Sequence, residues 1–552
     1  MPDYALGLDF GTNSARAVVV RLDTGDQIAV DVFAYPSGDD GIIESSRDPD
    51  LARQEPADYI TACKSLLSSA MQKAQGADPQ FDAGRVVGIG VDFTASTPMP
   101  VDVNGEPLAF REAFADVLGA KAWLWKDHTS HEEAKEITLL AEKEHPEYLA
   151  KCGGQYSSEW FWSKALRCAR TAPDVIAAAH TWIEACDWVT GVLTGSASNP
   201  LRGICAAGHK AMANPGWGGY PDAPFLAKLH PELARIRASL PEELHPVGVC
   251  AGYLASSFAA PAGLGERVAV SVGAIDAHLG AVGAGIRQGR LVKIMGTSTC
   301  DMAVWPLEQT LQDIPGISGV VPESVLPGMY GLEAGQSAVG DLFNWFVGPM
   351  NGGTHESLTS AASKLLPGES GLIALDWNNG NRCPYGDSRL RGVLIGQSLR
   401  TKPHEIYRAL VEATAFGARQ IIEIYEKHGV RVEEVVCTGG IAERNEWLLQ
   451  VYADICGRPI RVSAVPHGSA HGAAICGAVA GGAFSSFSEA QSRLCPEPEE
   501  SYEPDSNAVQ TYDRLYRLYL DLGTAFSGRT SGADVGGVIK ELLAIREDAL
   551  SR

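Results

Sequence analysis

Two short segments carry the same arrangement of groups. Asp9-Phe10-Gly11-Thr12-Asn13-Ser14 and Ile294-Met295-Gly296-Thr297-Ser298-Thr299 each set a glycine and small polar side chains between two apolar runs. Glycine lets the backbone approach a phosphate, the hydroxyl and amide groups donate hydrogen bonds, and Asp9 stands where it can anchor a hydrated magnesium ion. One such turn alone reads better as an ordinary hairpin, since small polar turns are common; two in matching contexts shift the reading towards a phosphate clamp. In Gly273-Ala274-Ile275-Asp276-Ala277-His278 an apolar run delivers one carboxylate into small residues. Asp276 is there either a general base with room to reach a substrate hydroxyl or the cap of a helix. The junction Thr438-Gly439-Gly440-Ile441-Ala442-Glu443-Arg444-Asn445 is suited to an adenine and ribose lying over the glycines, or is a routine strand-to-helix turn. Trp125 and Tyr156, beside Lys126-Asp127-His128 and Ser157-Ser158-Glu159, combine aromatic faces with polar groups as sugar sites do, although aromatic residues are more often core.

The elements that must position these groups can be read from periodicity. Residues 4–9, 17–22 and 27–35 predict a three-strand meander, residues 56–75 a helix with proline in its first turn, and residues 86–93 a further strand. Residues 291–295 and 301–305 repeat the first two strands around the second glycine turn, so the chain predicts two related halves facing a cleft. Gly280, Gly283, Gly285 and Gly289 mark a hinge or boundary, placed near residue 285. Residues 403–427 predict an amphipathic helix, 433–437 a strand and 443–456 a helix, with an acidic, then helical, tail after residue 485.

The 552 residues include 67 acidic and 45 basic side chains, a formal charge of -22, which repels nucleic acid and acidic membranes. An anionic ligand then needs a local device such as backbone N–H groups, a helix N-terminus or a metal. The 12 cysteines form no C-x-x-C pair, as expected for reduced thiols packed as small hydrophobes. With Asp3 and no basic residue ahead of the first apolar run, no secretory signal and no spanning helix are expected, which points to the cytoplasm. G-x-x-x-x-G-K-[ST], G-x-S-x-G and H-E-x-x-H are missing, lowering the case for a P-loop, a serine hydrolase or a zinc protease. Asp9-Phe10-Gly11 spells the D-F-G of protein kinases, but no H-R-D accompanies it.

The glycine turns, the Asp276 turn, Arg391-Gly-Val-Leu-Ile-Gly396, Tyr407-Arg-Ala-Leu-Val-Glu412 and Thr438-Gly-Gly-Ile occur in the order of the FGGY carbohydrate kinases, which the chain resembles from about Tyr4 to Phe484. Residues 91–97, 124–128, 154–160 and 183–188 resemble the members that act on L-ribulose. The segment around Asp92 has neither the Arg-Glu pair of glycerol kinases nor the Met-His pair of xylulokinases. The resemblance implies an α/β fold of two actin-like (ribonuclease-H-like) domains, residues 1–285 for sugar and phosphate and 286–552 for ATP, closing on ATP and Mg2+. It implies Asp276 as general base and Asp9 as metal anchor. Thr12, Asn13, Ser14, Arg16, Gly296, Thr297, Gly439, Gly440 and Asn445 would contact ATP, and Ala95, Ser96, Trp125, Tyr156, Lys210 and Glu333 the sugar. The implied reaction makes L-ribulose 5-phosphate in L-arabinose breakdown. A kinase for another ketopentose or polyol, or a non-enzymatic actin-like nucleotide switch, is the alternative. A homodimer is the default expectation for a soluble enzyme.

Overall fold

The computed structural model describes residues 2–265, 267–350, 352–528 and 534–551. Two mixed sheets organise it. In the first, the strand Tyr4–Phe10 lies between the antiparallel Ser14–Arg21 and the parallel Val86–Phe93, with Gln27–Ala34 beyond one and Ala269–Ser271 and Cys250–Tyr253 beyond the other. The short strand Ala274–Ile275 also joins Val86–Phe93. In the second sheet, Gly289–Met295 lies between the antiparallel Thr299–Pro306 and the parallel Val432–Thr438. Met329–Ala334 and Gly319–Pro322 extend one side, and Ile460–Val462 and Ser501–Tyr502 the other. The repeat expected from the two glycine turns is therefore present as a shared strand grammar.

Helices form where the sequence combines apolar spacing with good ends. Pro56–Ala77 has proline in its first turn and turns Tyr59, Ala62, Cys63, Leu66, Leu67 and Ala70 inward. Pro403–Lys427 starts the same way, and the Glu405 carboxylate accepts from Lys402 N at 2.7 Å. The last predicted helix runs Glu446–Cys456 rather than from residue 443, because the Asn445 side chain accepts from Leu448 N at 3.1 Å and so starts the helix there.

A third core has no counterpart in the sequence expectations. Leu108, Trp123, Phe161, Trp162, Trp182, Leu226 and Ile236 centre a helical region inserted between the strands Val86–Phe93 and Cys250–Tyr253. It carries Tyr156 and Lys210.

The helix Gly468–Ala480 returns from the second half to lie on the first sheet. A Cβ on Gly7 would sit 1.7 Å from Ala470 O, one on Gly90 1.9 Å from Ala473 O, and one on Gly88 1.9 Å from Gly477 O. Its other side meets Asp276–Gly283 as closely, since a Cβ on Gly283 would lie 2.2 Å from Gly468 O and one on Gly472 1.8 Å from Leu279 O. Residues 470–494 accordingly share the core of the first sheet, although a division at residue 285 assigns them to the second half. Gly283, read from sequence as part of a hinge, packs inside a helix.

Because the neighbours of Gly90 are backbone atoms, they cannot rotate away. Gly90→Val is expected to lower unfolding free energy by at least about 2 kcal/mol. Urea denaturation checks this, and a change under about 0.5 kcal/mol would contradict the packing account.

Candidate active site

Strand register brings three carboxylates together. Asp9 and Asp92 are partners across the parallel pair, Ala274 pairs with Asp92 and Ile275 with Phe93, and Asp276 follows directly. All three therefore stand at the C-terminal edge of the first sheet, where open α/β sheets bind ligands. Asp9 Oδ2 accepts from Arg16 Nη1 at 3.1 Å. Asp92 is fully buried beside Asp9, and neither of its oxygens meets a full hydrogen-bond geometry among the described residues. Burial, then the charges of Asp9 and Asp276, push its pKa well above the ordinary carboxylate range. Asp276 opens the helix Asp276–Gly283, with Ile275 as the capping position, and its Oδ1 accepts only from its neighbour Ala277 N, at 2.6 Å. Desolvation, then the nearby Asp9 charge, raise its pKa to about 7. A buried, unsatisfied carboxylate beside a second one has the donor chemistry of a divalent cation site, so Asp9 and Asp92 fit magnesium. Asp92 was missed as a site residue in sequence because its strand reads as ordinary core.

A cavity of about 300 Å³ opens beside Asp9 and Arg16 and continues over Thr438, Gly439 and Gly440 to His467, Gly468 and Ser469. Gly439 has φ +102, and a Cβ there would sit 2.4 Å from Met295 O, whereas nothing lies over Gly440. The first residues of the helix Gly468–Ala480 face this space, offering the electropositive end of a 13-residue helix. The sequence reading missed that helix end. The two predicted turns keep matching internal bonds, Gly11 N to Ser14 O at 2.9 Å and Gly296 N to Ser298 O at 3.0 Å, and Thr297 O accepts from Val339 N and Asp341 N. Thr12 Oγ1 accepts from Trp125 Nε1 at 3.0 Å, and Asn13 Nδ2 donates to Asp40 O. Trp125 thereby braces the first glycine turn. Ser14 begins the second strand, and Asn445 is spent as a helix cap.

Of the predicted sugar residues, Lys210 and Glu333 meet across the two halves: Lys210 Nζ donates to Oε1 at 2.7 Å and Oε2 at 2.9 Å. Burial alone would raise the Glu333 pKa, but the Lys210 ammonium outweighs it and holds the carboxyl well below the usual range. Tyr156 is buried, its hydroxyl donating to Lys210 O at 2.6 Å and accepting from Trp162 N at 3.0 Å, so it supports Lys210 rather than presenting a free polar group. Ser96 is fully buried, with its hydroxyl on Glu184, and Ala95 beside it is partly exposed. Lys164, unassigned from sequence, donates to Ser96 O, Trp123 O and Leu124 O at 2.8, 3.2 and 2.8 Å, tying the Ala95 segment to the Trp125 segment. His128 and His131 stack at 6.3 Å and take Ser158 and Asp50 as their respective partners.

Two half-chains, each built on a mixed sheet with a glycine turn joining two of its strands, and three carboxylates gathered at the edge of the first sheet, have the architecture of a phosphotransferase of the actin-like fold. The chain belongs to the FGGY family of carbohydrate kinases: the family's N-terminal domain matches residues 4–283 and its C-terminal domain residues 291–481. It is similar to the ribulokinase of Bacillus licheniformis, 41% identical over 535 residues, covering 93% of this chain and 95% of that one. It is also similar to the ribulokinase of Geobacillus thermodenitrificans, 38% identical over 571 residues, covering 99% and 98%. The fold matches the crystal structure of xylulose kinase from Rhodospirillum rubrum, with a TM-score of 0.77, 24% identity, and 95% and 98% of the two chains covered. No described helix is long and apolar enough to cross a membrane.

Proposed function

We propose that this protein transfers the γ-phosphoryl group of ATP to L-ribulose, giving L-ribulose 5-phosphate, as a step of L-arabinose breakdown. The observation that carries the transfer is Asp276, a carboxylate with a raised pKa, set at the sheet edge with Asp9 and the Lys210–Glu333 pair as charged neighbours. The choice of ketopentose is supported by the curated ribulokinases that match nearly the whole chain.

The residues divide the work by their chemistry. Arg16, the backbone of Gly439 and Gly440 and the start of the helix Gly468–Ala480 receive the nucleotide, offsetting its charge in a chain that is itself anionic. The turns at Gly11 and Gly296 hold the phosphate chain from opposite sides. Lys210 donates to sugar hydroxyls and Glu333 accepts from them, while the segment held by Lys164 forms the wall at Ala95. Asp276 accepts the proton of the attacking hydroxyl as the phosphoryl group moves in line. Asp9 and Asp92 would hold magnesium, which when bound neutralises the charge on the transferring phosphoryl. Residues 1–285 and 286–552 are taken as the sugar-side and ATP-side halves, and the enzyme as a cytoplasmic homodimer.

Asp276 acts only when ionised, so activity is lost as pH falls through its raised pKa. The pH profile of kcat/KM for the sugar is expected to break near 7 and fall about tenfold per unit below that. A break near 4 would exclude Asp276 as the base. Asp276→Asn is expected to keep ATP binding, measured calorimetrically, and to lose about 100-fold or more of kcat. Turnover within about threefold of the parent would remove this residue from the mechanism.

A further inference from the structure

The Glu333 carboxylate is addressed by more than Lys210. His209 Nδ1 stands 3.3 Å and His278 Nε2 3.5 Å from the same Oε2, and the two imidazole rings pack edge to face with centroids 4.4 Å apart. Glu333 comes from the strand Met329–Ala334 of the second sheet, whereas Lys210, His209 and His278 come from the first half. All four side chains are buried.

The two histidines and Glu333 have ligand atoms within 4.8 Å of one another, a spacing that would suit a metal ion. The Lys210 ammonium, however, already sits on both carboxylate oxygens, so the positive charge such a site needs is supplied by the protein. A second cation there would be repelled at close range in a water-poor setting. The imidazoles must therefore be explained another way.

His209 is anchored on its far side, where Nε2 lies 2.9 Å from Ser324 Oγ. His278 is not, since neither of its ring nitrogens has a full hydrogen bond in the described residues, and it is completely buried. Burial lowers its pKa to about 4, so the ring is neutral and carries one N–H. A buried N–H left without an acceptor is destabilising, because it has lost its water and gained no partner. Among the described residues Glu333 Oε2 is an acceptor close to it, 3.5 Å from Nε2. His278 also lies two residues after Asp276 in the same helical turn, so whatever fixes its ring is joined rigidly to the base.

We propose that His278 is a positioning residue for sugar recognition, its Nε2–H holding the Glu333 carboxylate in the orientation that, with Lys210, receives sugar hydroxyls. The role rests on the sugar-kinase reading and extends it from contact residues to the group that aims them. It is a role in binding.

The test is steady-state kinetics of His278→Phe, His278→Gln and the parent with L-ribulose and ATP, alongside thermal melting of each. His278→Phe keeps the ring volume and removes the N–H; its sugar KM is expected to rise about tenfold or more, as for loss of a hydrogen bond to a charged group. Its kcat and its KM for ATP are expected to stay within about threefold. His278→Gln, whose amide nitrogen can take the place of Nε2, is expected to recover most of the sugar affinity. A sugar KM unchanged in His278→Phe overturns the role, as does an equal fall in kcat and rise in KM for both substrates. If His278→Phe does not fold, a sugar KM for His278→Gln far above the parent's is the overturning result and one near it supports the role. A parent enzyme with no sugar-dependent turnover would instead defeat the kinase reading itself, so the two failures are distinguishable.

Discussion

The contact between the helix Gly468–Ala480 and the first sheet is the constraint on which the rest of the site depends. Gly7, Gly88 and Gly90 leave the strands bare of side chains where the helix backbone arrives, with no room for a single methyl group. On the opposite side Gly472 and Gly283 allow Asp276–Gly283 to approach just as closely. Three elements from distant parts of the chain are thereby locked at backbone distance. The start of the returning helix is held beside Asp9 and the start of the other carries Asp276. Such packing gains dispersion contacts and loses adaptability, which suits groups that must keep their spacing through turnover.

Within that frame the electrostatics are built from opposing local devices. The sheet edge gathers three carboxylates, two of which burial and mutual repulsion hold back from ionising. Across the pocket Lys210 and Glu333 form a neutral pair whose partners come from different halves. Coulomb attraction in a buried site is strong, and the desolvation of both ions offsets much of it. The pair is therefore better understood as fixing the geometry between the two halves than as adding stability. The cavity beside Asp9 is bounded by glycine backbone, Arg16 and a helix start, groups by which an acidic protein can receive an anion without a basic surface.

Much of this was legible in the residues. The paired G-T turns announced the repeated strand grammar, and Asp9, Gly439 and Gly440 lie on the cavity as expected, with Lys210 and Glu333 meeting nearby. What was hidden depends on long-range geometry. Asp92 looks like one more residue of an apolar strand until the register places it opposite Asp9. The helical insertion around Trp162 and Trp182 is made of short helices whose aromatic spacing carries no long period. Tyr156 and Asn445 have side chains suited to ligand contact, but the structure spends them on Lys210 O and on a helix start. The return of residues 470–494 to the first core depends on glycine contacts far apart in the chain, which no local pattern reports.

The central claim is that phosphoryl transfer here requires a ketopentose in the pocket between the halves. It is tested most directly by magnesium- and ATP-dependent ADP release measured against L-ribulose, D-ribulose, D-xylulose, L-rhamnulose, glycerol and no sugar. The account predicts a clear preference for L-ribulose with little release when sugar is omitted. Hydrolysis of ATP at the same rate with and without sugar would contradict it and would mark the molecule as a nucleotide switch on the kinase fold.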